Sequence, residues 1–201
     1  MVFKGKREAT VRRALSGALI VFLVAIGGIF IPAHSFLRLP MEMALAANPA
    51  ADGACQVVFE ASQKLFSTPY HMYSDTRFGN GRTIAGEAVF AGGAMYVLYN
   101  GTWMPSPLSM EEMKAKEQEN QRNAKNKSCQ VVRDEAVNGE SATLYSVHDE
   151  TSRAKGDHEI WISKSRGLIL RQETDLTSNA GDRKTHLSVR YEYNHVQAPK
   201  L

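Results

Sequence analysis

Residues 186–196 read HLSVRYEYNHV and alternate without a break. Leu187, Val189, Tyr191 and Tyr193 point one way, and His186, Ser188, Arg190, Glu192 and Asn194 the other. A period of two marks a β-strand with one buried face and one wet face. Such a strand needs partners, because its backbone donors and acceptors must be paired. Two further strands precede it. Residues 157–163 (DHEIWIS) pass through the tight turn 164–167 (KSRG) into residues 168–176 (LILRQETDL), and the polar stretch 177–184 carries the chain into the alternating segment. Short turns make the neighbours antiparallel. The chain is therefore organised around a sheet with an apolar face, and its function turns on what covers that face.

The same grammar recurs upstream. GNGR (79–82), Gly92-Gly93, Asn100-Gly101 and Asn138-Gly139 are hairpin turns, and Asn-Gly supplies the positive φ that two-residue turns demand. They delimit strands over 71–78, 83–91, 94–99, 102–104, 129–137 and from 141 to about 148, with 149–157 (DETSRAKGD) as an exposed polar loop. Two helices interrupt the series. Residues 54–66 place Val57, Val58, Ala61, Leu65 and Phe66 at helical spacing, and Thr68-Pro69 stops them. In 109–125 Ser109 and Glu112 form a capping box, but only Met110 and Met113 offer much apolar surface. This second helix reads as a solvated connection, with a cover over one end of the sheet as the other reading. The fold class expected is α+β: a curved antiparallel sheet of about 8–9 strands, an incomplete barrel, with the first helix on its concave face and the polar helix in the connection.

The N-terminus is a targeting segment rather than part of this fold. A basic stretch, MVFKGKREATVRR, precedes about twenty uncharged, apolar residues over 14–33. Basic residues ahead of an apolar run put the N-terminus in the cytoplasm and export the remainder of the chain. Residues 1–46 are either cleaved, with Ala44-Leu45-Ala46 as one small-x-small site, or kept as an anchor spanning the inner membrane through residues 14–33. A linker, 47–53, leads to a domain over 54–199, expected in the periplasm or secreted. Outside residues 1–46 the chain holds 18 basic and 19 acidic residues. The folded part is thus close to neutral, which excludes the basic footprint of a nucleic-acid binder. Membrane contact is expected only through the N-terminal segment.

Two cysteines, Cys55 and Cys129, in an exported chain read as one structural disulfide. No C-x-x-C is present to suggest redox work.

Catalytic and metal chemistry find no support. His71, His148, His158, His186 and His195 lack ligand spacing such as H-x-x-x-H. His148-Asp149-Glu150 and Asp157-His158-Glu159 flank one loop, and read as solvent-facing strand ends rather than a cation site. There is no G-x-S-x-G. The adjacent acids Asp134-Glu135 sit on a strand and so point to opposite faces. No enzyme, metal or cofactor is expected.

The order of elements resembles the lipoprotein-carrier superfamily, the LolA/LolB-like fold of periplasmic localisation factors. The stretches that carry it are helix 54–66 leading into YHMYSDTRF, the pass EAVFAGGAMYVLYNGTWM, and EIWISKSRGLILRQETDL followed by HLSVRYEYNHVQAP. The resemblance covers about residues 54–199 and rests on pattern and order. It implies a half-barrel closed by helices, an extracytoplasmic location and an apolar-ligand cavity. It carries over no individual site residue. The polar helix 109–125 departs from it, since a lid over an apolar cavity needs an apolar face.

The apolar sheet face supplies the candidate site. Phe78, Phe90, Tyr96, Leu98, Trp161, Leu170, Leu187, Val189, Tyr191 and Tyr193 are the candidates for lining a cavity, or else they are plain core. A helix of about thirteen residues spans about 20 Å, whereas eight or nine strands at about 4.8 Å span nearly 40 Å. One helix cannot cover the face, so curling, a second helix, a ligand or a partner must. The function expected is an exported, non-enzymatic binding or carrier domain holding an acyl chain, lipid or other apolar small molecule. The alternative is an envelope protein-interaction or structural domain of the same fold with a filled core and a protein partner.

Overall fold

The computed structural model describes residues 49–151, 154–181 and 183–201, with side chains from Gly53 onward. The expected export segment, residues 1–46, lies outside them. Helix α1 (Pro49–Lys64) leads into the strands β1 (Tyr70–Phe78), β2 (Thr83–Ala91), β3 (Ala94–Tyr99) and β4 (Thr102–Pro105). Helix α2 (Met110–Asn123) follows, then β5 (Lys125–Val137), β6 (Glu140–Glu150), β7 (Ala154–Ser163), β8 (Ile169–Ser178) and β9 (Lys184–Glu192). Every paired neighbour is antiparallel.

The nine strands form one sheet in the order β4-β3-β2-β1-β9-β8-β7-β6-β5. Two meanders, β1 to β4 and β5 to β9, are joined where β9 returns to pair with β1. That central position explains the clean alternation of the last strand. Leu187, Val189 and Tyr191 are buried between neighbours on both sides, while Arg190 and Glu192 are exposed. β4 and β5 are the edges and do not pair with each other, so the sheet is open.

Turn chemistry holds the register. Asn100 and Gly101 have φ of 51° and 77°, and Asn138 and Gly139 have 51° and 82°, the paired positive values of a type I′ turn. Several boundaries differ from the sequence reading, three of them instructively. Helix α1 begins at Pro49, inside the stretch read as linker, because proline is well tolerated in a first helical turn. The loop read over 149–157 is mostly ladder, for Asp149 pairs with Gly156 and Glu150 with Lys155. The last strand stops at Glu192 rather than Val196, and His195 has a positive φ of 55°.

The main core lies between the sheet and α1. Ala54, Val58, Ala61 and Leu65 recur every three or four residues and form its helical side, whereas Val57 stays 38% exposed. Met72, Phe90, Val97, Val147, Ile160, Ile162, Ile169, Leu187 and Val189 form its sheet side. α1 packs over β5, β6 and β7, so the rest of the face needs another cover. Helix α2 supplies part of it: Met110 is in the core cluster and Met113 packs against it. The expectation of a purely solvated connection is thereby corrected. Its capping box is formed, with Glu112 N–H donating to Ser109 Oγ at 3.2 Å and Ser109 N–H to Glu112 Oε2 at 2.8 Å.

A smaller cluster of Ala142, Leu144, Trp161 and Leu170 lies apart from the main core. The parity of β6 places it on the opposite face, since Leu144 alternates with the core residues Tyr145 and Val147.

Candidate functional site beneath the helices

Two attachments fix α1 to the sheet. Cys55 and Cys129 form the expected disulfide, with Cα atoms 5.1 Å apart, tying the helix to the edge strand β5. At the other end Lys64 Nζ donates to the carbonyl of Arg166 at 2.9 Å, in the turn between β7 and β8. Gly167 makes room for that contact, since a Cβ there would lie 2.6 Å from the Lys64 ammonium.

Beneath the helices the face is filled. Tyr70, Phe90, Tyr191 and Tyr193 form an aromatic cluster, with Tyr70 lying 5.8, 5.4 and 6.4 Å from the other three ring centroids in turn. Burial pushes the Tyr70, Tyr191 and Tyr193 hydroxyls far above the ordinary range. Tyr193 also donates its hydroxyl to the Ile169 carbonyl at 2.6 Å. Among the described residues a cavity of about 70 Å³ is bounded by Val58, Leu65, Ile160, Ile169, Tyr191 and Glu117. That suffices for a few waters and falls far short of the roughly 300 Å³ at which small-molecule pockets begin.

One end of this cavity is polar. Glu117 of α2 is only 7% exposed. Gln121 Nε2 donates to its Oε1 at 2.7 Å, while its Oε2 has no protein partner. Burial pushes the Glu117 carboxyl up to about 7, against the lowering effect of Gln121 and Lys127, with Asp149 adding to the rise. His158, buried on β7, shares a hydrogen bond with Thr174 Oγ1 at 3.0 Å and leaves Nε2 unpartnered, 3.6 Å from Asp149. Burial raises the Asp149 carboxyl, but His158, Lys127 and His148 together hold it below the usual range. Gly156 is required here, as a Cβ would come within 2.5 Å of His158 Nε2 and 2.8 Å of Asp149 Oδ1. His158 is therefore not the solvent-facing strand end read from the sequence. Among the described residues no group of three His, Cys, Asp or Glu is arranged to hold a metal ion.

The structure divides the ten candidate residues between two faces. Phe90, Leu187, Val189 and Tyr191 lie in the main core under the helices, with Tyr193 at its margin. Phe78 shares their face at the end of β1, half-buried under the Arg82 guanidinium 4.7 Å from its ring centroid. Trp161 and Leu170 belong to the opposite cluster. Tyr96 and Leu98 also point away from the helices, because Tyr96 pairs with Val89 and its neighbour Val97 with the core residue Ala88. Glu117, His158 and Asp149 were missed as a group. They come from three elements, and nothing in their spacing announces the meeting.

No family model and no curated protein matches the chain. The chain is similar in structure to several solved proteins. The lipoprotein LppX of Mycobacterium tuberculosis is 12% identical with a TM-score of 0.42, over 76% of this chain and 100% of that one. LprF from Mycobacterium bovis is 8% identical with a TM-score of 0.42, over 75% of this chain and 98% of that one. A LolA superfamily protein from Nitrosomonas europaea is 8% identical with a TM-score of 0.20, over 74% of this chain and 94% of that one. Likeness at this level transfers no ligand and no partner to this chain.

Proposed function

We propose that this is an exported binding or carrier domain, which takes an apolar chain such as a lipid acyl group between its helices and the sheet, with α2 as the movable cover. The reading is supported by the unequal attachment of the two helices. α1 carries a continuous apolar stripe and is held by the disulfide and the Lys64 contact. α2 contributes two methionines to the core and buries a carboxyl with one oxygen unpartnered. Burying a methionine contributes roughly 1.5–3 kcal/mol, and an unsatisfied buried polar group costs about 1–3 kcal/mol. The net hold on α2 is therefore small, as befits a lid drawn from the less stable part of a fold. β5 follows α2 after one residue and opens with a register shift between Lys125 and Ser128, where Asn126 has a φ of 52°. That irregular junction can absorb a rotation.

In this reading the 70 Å³ cavity is the closed state, and opening α2 uncovers the aromatic cluster. The domain works in the periplasm or outside the cell, delivered by residues 1–46. The test is titration of the full-length protein with a fluorescent fatty acid, together with native mass spectrometry for co-purified lipid. Saturable binding is expected. Absence of both saturable binding and co-purified lipid would sink the proposal.

The filled face also favours a second reading, an envelope interaction domain with a permanent core. It predicts no fatty-acid binding, and copurification of one envelope protein at fixed stoichiometry.

A further inference from the structure

The face away from the helices carries a hollow larger than the 70 Å³ cavity beneath them. A groove of about 550 Å³ is lined by Tyr73, Asp75, Trp161, Arg171, Arg190 and residues 135–138 at the β5–β6 turn. Its wall is the β5–β6 hairpin, which folds over the sheet. Glu135 Oε1 accepts a hydrogen bond from the Trp161 indole two strands away, and Val137 packs on the Trp161 cluster. Its volume lies within the range of small-molecule sites.

Its floor is one cross-strand row. Trp161 pairs with Arg171, Arg171 with Arg190, and Arg190 with Tyr73. Two arginines directly opposite on adjacent strands repel and destabilise the pairing. Some opposed pairs on the same face are complementary: His186 with Asp175 at 2.8 Å, and His148 with Asp157 at 2.8 Å. Like charges also face each other elsewhere on this face, Glu159 opposite Glu173 and Asp157 opposite Asp175; the arginine pair is the one that lines the groove.

Both guanidiniums are held in place. Arg171 lies over Trp161, 4.8 Å from the ring centroid, and Arg190 lies over Tyr73 at 4.3 Å. They lean in opposite directions, each onto its own aromatic. Glu173 takes Nε of Arg171 at 2.8 Å, and Glu192 takes NH1 of Arg190. Each carboxylate engages one side of its arginine and leaves further N–H donors. Of the groove's own acids, Glu135 is occupied by Trp161 and Arg133. Asp75 lies two residue pairs further along, opposite Ser188.

We propose that this groove is a binding site for a small organic anion, whose carboxylate or phosphate group is held by the remaining N–H donors of Arg190, with Arg171 adding positive charge from the paired position. Arginine forks suit both groups. Asp75 disfavours highly charged anions and offers an acceptor to a hydroxyl or ammonium on the same ligand. The site is independent of the lipid reading, because it lies on the other side of the sheet.

The chain has two tryptophans, Trp103 and Trp161, so selective ¹⁵N labelling gives two indole N–H signals, one of them an internal control. Full-length protein is titrated with acetate, inorganic phosphate and glycerol phosphate, with sodium chloride at matched ionic strength. The expected result is a saturable shift of the Trp161 signal with at least one of these anions, none with chloride, and a still Trp103. Arg190→Gln should weaken that binding about tenfold or more, consistent with loss of one bidentate contact, and Arg190→Lys should restore it only in part. Inorganic phosphate alone, or glycerol phosphate alone, identifies a free or a lipid-derived source. A Trp161 signal unmoved by all three anions, or moved equally by chloride, overturns the proposal on the unaltered protein. So does binding unchanged in Arg190→Gln.

Discussion

Glu117 is the residue whose chemistry departs furthest from its surroundings in the sequence. Its neighbours on α2 are polar and solvated, while it alone of the helix's polar residues is buried, facing Gln121 on its own helix, Lys127 on β5, Asp149 on β6 and His158 on β7. Its carboxyl titrates near 7 in the folded chain against an ordinary 4.5. The folded state thus keeps a proton that the unfolded state has lost between those two values, and stability falls as pH rises through that window. The loss is at most about 3.5 kcal/mol, from roughly 1.4 kcal/mol per pKa unit. Asp149 works the other way: its carboxyl is held low, so its contribution is lost only as pH falls below the ordinary aspartate range. Glu117→Gln should flatten the stability profile between pH 5 and pH 7.5, the interval of roughly the Glu117 shift, and raise stability at the upper end. Urea unfolding at several pH values measures it, and an unchanged slope would show that Glu117 is solvated in solution.

At the scale of elements, the periodicity of the sequence is informative wherever a strand has one wet face. In β9 the residues Leu187, Val189 and Tyr191 are buried and their alternates are not, as alternation predicts. It decides nothing at Ile160-Trp161-Ile162, where both faces are apolar and period two cannot say which side holds the helix. Ile160 and Ile162 lie under α1 and Trp161 lies opposite. A register shift between Trp161 and Ile162 then pairs Ile162 with Ile169 and leaves Leu170 with Trp161 rather than with Ile162, and such a bulge leaves no mark in the hydrophobic pattern. Helix α2 escapes the pattern for a different reason: two methionines and one glutamate suffice to seat a helix that is polar elsewhere. That weak seat makes a prediction. The double substitution Met110→Ala with Met113→Ala should speed hydrogen exchange across 110–123 by tenfold or more, since even about 1.4 kcal/mol of lost packing is tenfold. If α2 is the lid, fatty-acid association should quicken while exchange in β7 to β9 stays slow. Exchange that rises equally throughout would mean that α2 belongs to the cooperative core.

For the whole molecule, the decisive constraint is that the open sheet has one helix pinned to one edge. The disulfide closes a separation of 74 residues that includes β1 to β4 and α2. Loop entropy for such a span amounts to about 4 kcal/mol, a large share of a domain's roughly 5–15 kcal/mol. If the domain is a carrier, the bridge also decides which cover can move. With Cys55 and Cys129 joined, α1 stays over β5 and opening is left to α2. With the bridge gone, α1 keeps its apolar stripe and the Lys64 contact, but nothing covalent stops the whole layer from lifting. Replacing both cysteines by serine should therefore lower stability by about 2–5 kcal/mol and change the mode of ligand uptake. Fatty-acid titration of the bridged protein should saturate at a fixed stoichiometry. The double serine variant should bind more probe with no clear plateau, because the apolar face is exposed as a surface rather than as a gated slot. A variant that loses stability yet keeps the same saturable stoichiometry would show that α1 is held by packing alone, and that the disulfide serves folding rather than the choice of lid.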